Sequence, residues 1–300
     1  MKNGEFAAFI MTYERPEILL RTIQILQEQT FPPAFIYVVD NSESNLTENA
    51  ISQLNRENIE YFRVGYNSGP AGAAAIGLQE LESRGYKWIY WGDDDNPPFH
   101  KSVFEKQFEE LRSMGSGAEE VGIIGGKGGC LNKWTGRIET FSNEELRKQK
   151  FLEVDFIPGG GSMLINASVV RENVLPEPKL FFGFEEFDFC LRVKKKGYKL
   201  LVNTEIWLEE NFKEGFKERN FKWKASNFGK KELLWRDYYS GRNLLHIYYK
   251  NRYYAAFSFL LLKRILKSFA GVKYGWSYGI RNFKIQWLAL LHFFTGVYGK

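Results

Sequence analysis

Cysteine is nearly absent from this chain: Cys130 and Cys190 are the only two, far apart and outside any CxxC or Cys/His spacing. A disulfide framework and a zinc-binding module are therefore excluded, and a reducing compartment is favoured. Histidine is almost as scarce, with His100, His246 and His292 alone. No uninterrupted apolar run approaches the roughly 20 residues needed to span a bilayer. The opening MKNGEFAAFIMTYERPEIL carries one Lys, and its short apolar run is preceded by Glu5. It reads as a first β-strand, not as a secretory signal. Internal repeats and low-complexity segments are missing too. Acid is absent from one region only. Ten of the 41 Lys and Arg fall between Tyr238 and Lys300, where there is no Asp or Glu, so residues 1–237 hold the other 31 against all 36 acids. A net charge of +5 thus hides an acidic body and a basic tail, and that shift is the clearest boundary along the chain.

Aromatic residues are in excess, at 17%. Three hundred residues readily bury a core and suit one large domain, or one domain with an appendage. In the first third, strand-like and helix-like segments alternate. FAAFIMTY (6–13) reads as a strand, and RPEILLRTIQILQEQ as a helix with Pro16 in its first turn. FIYVVDNS (35–42) is a second strand ending in turn chemistry, TENAISQLNREN a helix, IEYFRVGYN a third strand and GPAGAAAIGLQELESRG a helix. YKWIYWG is the fourth strand. Such alternation predicts a parallel α/β sheet with right-handed crossovers, whose ligands bind beyond the carboxyl ends of the strands. The polar punctuation falls there: Thr12-Tyr13, Asp40-Asn41-Ser42, Asn67-Ser68-Gly69 and Asp93-Asp94-Asp95. Beyond residue 100 come a helix (about 100–114), a glycine-rich strand region, a polar and mobile stretch (132–150), a second glycine bend (159–161) and an acidic-to-basic helix after KLFFGF.

The aspartate triplet poses the main chemical question, because no basic residue is closer in sequence than Lys87 or Lys101. In an extended turn, Asp93 and Asp95 present hard oxygen ligands to one side, which suits a divalent cation carrying a diphosphate. A solvated acidic turn or a helix cap is the bland alternative. Placement after an aromatic fourth strand favours the cation.

FIMTYERPEIL, VVDNSES, YNSGPAGAAAIGL, WGDDDNPP, GGGSMLI and FGFEEFDFCLRVKKKGY follow one another in an order and spacing that resemble family 2 inverting glycosyltransferases of the GT-A fold. The likeness is nearest to the bacterial rhamnosyltransferase and galactofuranosyltransferase branches. It covers about residues 5–215, and RDYYSGRNLLHIYYK (236–250) is a further branch-like feature. The resemblance implies a Rossmann-like mixed sheet forming a catalytic domain over 1–235. Its nucleotide-binding half would be about 1–99 and its acceptor half about 100–235, with a basic helical extension at 236–300. It places Thr12, Tyr13 and Asp40 on the nucleoside side, Asn67 and Gly69 near the nucleotide, and Gly72 where the helix backbone approaches it, with Arg15 a further substrate-binding residue. Asp93 and Asp95 would take the metal, Mn²⁺ or Mg²⁺, with Asp94 near the sugar or ribose. By the same resemblance Gly160 and Gly161 would shape the acceptor floor, and Glu186 would be the catalytic base, flanked by Glu185 and Asp188.

The base assignment also has chemical sense of its own. Inverting transfer needs a carboxylate to take the proton of the acceptor hydroxyl as it attacks the anomeric carbon. Glu185, Glu186 and Asp188 open a helix that ends RVKKKG, so the helix dipole favours carboxylates there, while mutual repulsion raises a pKa. Asp188 and Arg192 also stand at the spacing of an i,i+4 ion pair. Many relatives supply a metal-binding His about twenty residues later; this chain reads NTEIWLEENF, leaving Glu209, Glu210 or water for that role, or the aspartates and diphosphate to hold the metal alone. His100 reads as a helix-cap or surface residue.

In the tail, YYAAFSFLLLKRILKSFAG and YGIRNFKIQWLALLHFFTGVYG mix apolar and aromatic residues with Lys and Arg. This pattern fits helices lying on an anionic membrane surface, with packing on the body or in a homo-oligomer as the alternative. A nucleic-acid partner is not expected, since the body is acidic and no nucleic-acid-binding motif is present. The expected partners are a nucleoside-diphosphate-sugar donor and a glycan or lipid-linked acceptor, used at the cytoplasmic face of the cell membrane in polysaccharide assembly. A nucleotidyltransferase would want a glycine- and basic-rich phosphate loop after the first strand, where MTYERPE offers only Arg15. A non-catalytic sugar-binding protein would have little use for both DDD and EEFD.

Overall fold

The structure, a computed structural model, describes residues 6–54, 56–213, 215 and 228–300. Glu5 and Asn55 therefore lie outside the described residues. Strands β1 (Phe6–Thr12), β2 (Ile36–Asp40), β3 (Ile59–Arg63) and β4 (Trp88–Asp93) alternate with helices α1 (Pro16–Gln27), α2 (Leu46–Ser52) and α3 (Gly69–Ser83). The chain continues through α4 (Val103–Ser113), β5 (Val121–Gly125), β6 (Cys130–Leu131), β7 (Ile138–Glu139), α5 (Asn143–Lys148) and β8 (Phe151–Glu153). β9 (Leu164–Asn166), α6 (Ala167–Arg171), α7 (Glu185–Lys195), β10 (Lys199–Asn203) and α8 (Thr204–Lys213) complete the body. Three long helices follow: α9 (Leu234–Lys250), α10 (Tyr254–Ala270) and α11 (Trp276–Thr295).

Eight strands form one sheet in the order β3-β2-β1-β4-β9-β5-β10-β8. The four strands expected to run parallel do so, with Thr12 level with Asp40 and Met11 level with Asp93. β1 and β2 are buried at every residue, as continuous apolar runs in a doubly covered parallel sheet should be. The sheet then becomes mixed, because β9 enters antiparallel between β4 and β5. The bend at 159–161 turns the chain back for that insertion, with Gly160 and Gly161 at φ of +71° and +54°.

Side chains alternate across β4. Trp88 and Tyr90 pack with Phe104 and Phe108 on one face, and Ile89 and Trp91 with Phe189 on the other. A third apolar cluster ties α7 (Phe187, Leu191) to Leu245 and Tyr248 of α9, Leu260 of α10 and Leu290 of α11. The C-terminal helices are thereby fixed to the helix that carries the acidic motif. The segment 132–150, expected to be mobile, instead carries β7 and α5. Ser142 and Glu145 close a capping box at the start of α5, a signal legible in SNEE. α2 ends at Ser52, well short of the helix expected through residue 58.

Candidate active site

The loops beyond the carboxyl ends of β1, β2 and β4 and the start of α7 enclose a cleft of about 860 Å³. Of the residues expected in a site, it gathers Thr12, Tyr13, Arg15, Asn67, Asp93, Asp94, Asp95, Glu185 and Glu186. Asp40, Gly69, Gly160, Gly161 and Asp188 do not line it.

The triplet does have a countercharge, brought from far away in sequence. Arg15, in the turn between β1 and α1, donates to Asp94 Oδ1 at 2.5 Å and to Asp95 Oδ2 at 2.6 Å. Asp94 is almost fully buried, and Thr12 Oγ1 donates to its other oxygen at 2.7 Å. Thr22 of α1 donates to its carbonyl at 2.5 Å. Burial raises the Asp94 pKa, while the Thr12 hydrogen bond and the Arg15 charge oppose the rise. Asp94 is thus the anchor of the turn, and Asp95 stands exposed beside the guanidinium.

Asp93, at the end of β4, differs from both. Among the described residues, no side chain or backbone N–H donates to its carboxylate. Burial first, then the charges of Glu186, Asp95 and Asp94, push its pKa up to about 8. A carboxylate crowded by three others and given no donor fits a divalent cation. The described residues contain no group of three or more His, Cys, Asp or Glu placed to hold a metal. A cation here would therefore be held by Asp93, by Asp95 and by oxygens of the donor or water. Glu209 and Glu210, weighed as substitutes for the missing His, are engaged elsewhere, Glu209 with Lys106 at 2.5 Å and Glu210 with Lys127. His100 contacts Ser102 Oγ at 2.9 Å beside the start of α4, in keeping with a cap or surface role.

Asp40 is buried and accepts from Ser42 N at 2.9 Å, Ser42 Oγ at 2.5 Å and the Tyr61 hydroxyl at 2.8 Å. Its neighbour Asn41 lines the cleft in its stead, while its side chain also accepts from Ser68 and donates to the Gly69 carbonyl at 3.2 Å. Gly69 has φ +71°, and a Cβ there would sit 2.2 Å from the Phe181 carbonyl oxygen. Its glycine serves close packing against that loop. Gly160 and Gly161 abut Asn96, with Gly161 N donating to the Asn96 carbonyl at 2.6 Å. Gly72 has Ser68 as its near neighbour.

α7 begins from a contorted turn: Phe181, Gly183 and Phe184 all have left-handed φ, at 61°, 80° and 68°. Asn243 of α9 holds this turn, its amide donating to the carbonyls of Leu180, Phe182 and Gly183 at 2.9, 3.0 and 2.9 Å. Buried Arg242 adds a bond to the Leu180 carbonyl at 3.2 Å. Glu185, almost fully buried, keeps one oxygen without a hydrogen-bond partner, and burial with the Glu186 charge raises its pKa well above the usual range. Burial also raises the Glu186 pKa. Asp188 points away from the cleft, bound by Arg192 at 2.7 Å with Lys250 3.6 Å away.

Sequence reasoning missed an aromatic wall on the far side of the cleft. Phe182 and Trp235 pack at 4.7 Å between ring centroids and Phe181 and Tyr239 at 5.2 Å, with the Arg236 guanidinium 5.3 Å from the Trp235 ring. Both strings were visible, in KLFFGF and in LWRDYY, but nothing in either placed one against the other.

A mixed sheet of this order, with a carboxylate turn at its parallel edge and a second acidic helix start across one cleft, defines a GT-A transferase fold. The chain belongs to glycosyl transferase family 2, whose sequence model matches residues 7–173, more than half its length. No curated protein sequence matches it. Among solved structures, GalNAc-T7 with UDP, GalNAc and Mn²⁺ is similar at TM-score 0.52 and 16% identity, over 68% of this chain but 43% of its own. S. aureus TarS 1–349 is similar at TM-score 0.51 and 12% identity, over 97% of this chain and 92% of its own. The mannosyltransferase PcManGT from Pyrobaculum calidifontis, in complex with GDP-Man and Mn²⁺, is similar at TM-score 0.55 and 10% identity, over 98% and 88%.

Proposed function

We propose that the protein moves a sugar from a nucleoside-diphosphate donor to a hydroxyl of a glycan acceptor, inverting the anomeric centre. The observation that carries this reading is the position of Glu186. It lines the same cleft as Asp93, near enough for its charge to raise the Asp93 pKa. The acceptor O–H gives its proton to a Glu186 oxygen as the acceptor oxygen bonds to the anomeric carbon. The bond from that carbon to the diphosphate breaks, and its electron pair leaves with the nucleoside diphosphate. Arg15 lies beside the carboxylates at the diphosphate end and offsets their charge. A divalent cation, Mn²⁺ or Mg²⁺, held by Asp93 and Asp95 would neutralise charge on the leaving group.

The solved neighbours named with UDP and GDP-Man support a nucleotide-sugar donor. The branch resemblance supports dTDP-rhamnose or UDP-galactofuranose, with other UDP-hexoses next. The aromatic wall supports a sugar-ring acceptor, since a flat ring face packs against a pyranose or furanose without demanding one hydrogen-bond pattern. We read that acceptor as lipid-linked, in cell-surface polysaccharide assembly at the inner face of the cell membrane. The test is Glu186→Gln together with a thermal-shift screen of nucleotide sugars, with and without Mn²⁺ or Mg²⁺. Donor stabilisation should persist in the variant while transfer is lost. Undiminished transfer would refute the base, and no stabilisation by any nucleotide would refute the donor class.

A further inference from the structure

Helices α10 and α11 turn Leu260 and Leu290 to the body but meet each other through buried polar side chains. The residues α10 buries are Ala256, Leu260, Arg264 and Ser268. Arg264 donates to Gln286 Oε1 at 2.9 Å and to the Asp237 carbonyl at 3.0 Å. From α11, Asn282 donates to the carbonyls of Lys267 and Ser268 at 2.8 and 3.1 Å, and Gln286 donates to Asn282 at 3.2 Å. The seam between the two helices thus holds a buried polar network. Their outer faces are apolar: Leu262, Leu266 and Phe269 on α10, and Trp276, Phe283 and Trp287 on α11, are 40–75% exposed. Phe269 meets Phe283 at 5.6 Å and Phe283 meets Trp287 at 5.8 Å, which joins the two stripes into one surface.

A helix in water hides its apolar stripe, so a continuous apolar face turned outward marks a surface that meets something. Charge identifies the occupant. Exposed Lys263, Lys273, Arg281 and Lys284 stand among the apolar residues, and no acid follows Asp237 in the chain. Among the described residues no helix is long and apolar enough to cross a membrane. Rings and aliphatic side chains at the depth of lipid headgroups, with cations at the same level, are the chemistry of an amphipathic element lying on an anionic bilayer. We propose that the outer face of α10 and α11 seats the protein on an anionic membrane surface. In bringing a lipid-linked acceptor to the cleft this rests on the reading above; the docking itself does not.

The test is co-sedimentation with vesicles of phosphatidylcholine alone and of phosphatidylcholine with about one-third phosphatidylglycerol. Wild type should pellet with the anionic vesicles and be released by salt. A Leu266→Glu, Trp287→Glu double variant, altered only at exposed positions, should partition at least about ten-fold more weakly. Its stabilisation by nucleotide should match wild type, so a failure of docking is separable from a failure of the donor reading. On wild type alone, brominated lipid should quench tryptophan emission, which keeps the proposal testable if the variant misfolds. No pelleting with anionic vesicles, equal pelleting of the variant, or no quenching overturns it. So does a lipid-free dimer that the variant dissociates, which would make a second copy the occupant.

Discussion

Asn243 is the side chain on which the placement of the acidic helix turns, and replacing it with Ala should separate catalysis from donor binding. Its amide has two N–H bonds and serves three carbonyls, those of Leu180, Phe182 and Gly183. Losing two bonds costs about 1 kcal/mol each. The buried Leu180 carbonyl still accepts from Arg242, and Phe182 and Gly183 are partly open to water, so no carbonyl is left dry. The total is about 2 kcal/mol. Against it stand the left-handed conformations of Phe181 and Phe184, at φ of 61° and 68°, each a strain of about 1–3 kcal/mol. The two quantities are of one size, so removing the amide lets the turn relax and carries Glu185 and Glu186 with it. A shift of about 1 Å at a reacting group costs about 100-fold in rate. Nucleoside diphosphate release at saturating donor should therefore fall about 100-fold in Asn243→Ala. Donor affinity should stay within about three-fold, because Asn41, Asn67 and Asp93 reach the cleft from other elements. Asn243→Asp, which turns acceptors toward three carbonyls, should be worse in rate and in Tm. Wild-type turnover in Asn243→Ala, or a parallel collapse of turnover and donor affinity, would refute the reasoning.

Arg15→Met should lower Tm by removing the countercharge of buried Asp94. Breaking a buried pair costs about 3–5 kcal/mol, and because Arg15 is 43% exposed the loss discounts to about 1–2 kcal/mol. Added Mn²⁺ should regain part of it, and an unchanged Tm at low divalent concentration would dismiss Arg15 as a surface residue. Glu185→Gln tests the buried carboxyl through pH. Folding raises its pKa, so the stability its proton supplies is complete below the unfolded value near 4.5 and is lost as pH climbs toward the folded one. Since Gln stays neutral, its gain in Tm over wild type should grow as pH rises above about 5. A gain flat with pH would mean that the desolvated charge is not the cause.

What could be read in advance was whatever local pattern dictates. The all-buried strands FAAFIMT and IYVVD, the helix opened by Pro16 and the acidic-to-basic gradient of α7 are set by residues within one element. The carboxylates at the strand ends followed from topology, since parallel strands deliver their loops to one edge. The pairing of Arg15 with Asp94 and Asp95 spans about eighty residues, and no local rule contains it. A separation of 60–63 residues hid the use of GRN in RDYYSGRNLL. Arg242 and Asn243 are ordinary helix residues by propensity, and their task appears only once α9 lies against the turn before α7.

The tail shows the converse, a pattern legible in sequence whose meaning depends on structure. Apolar residues interleaved with Lys and Arg predict an amphipathic helix, and in water its apolar stripe would face the body. Here α10 and α11 set Leu260 and Leu290 against the body, give polar residues to each other through Arg264, Asn282 and Gln286, and leave a second set of rings and leucines outside. Periodicity says which residues share a face, but it does not say which face is turned inward. Buried polar groups settle that, because each must find a hydrogen-bond partner and can find it only in protein. The polar seam therefore fixes the orientation of the pair, and the apolar surface follows as its complement.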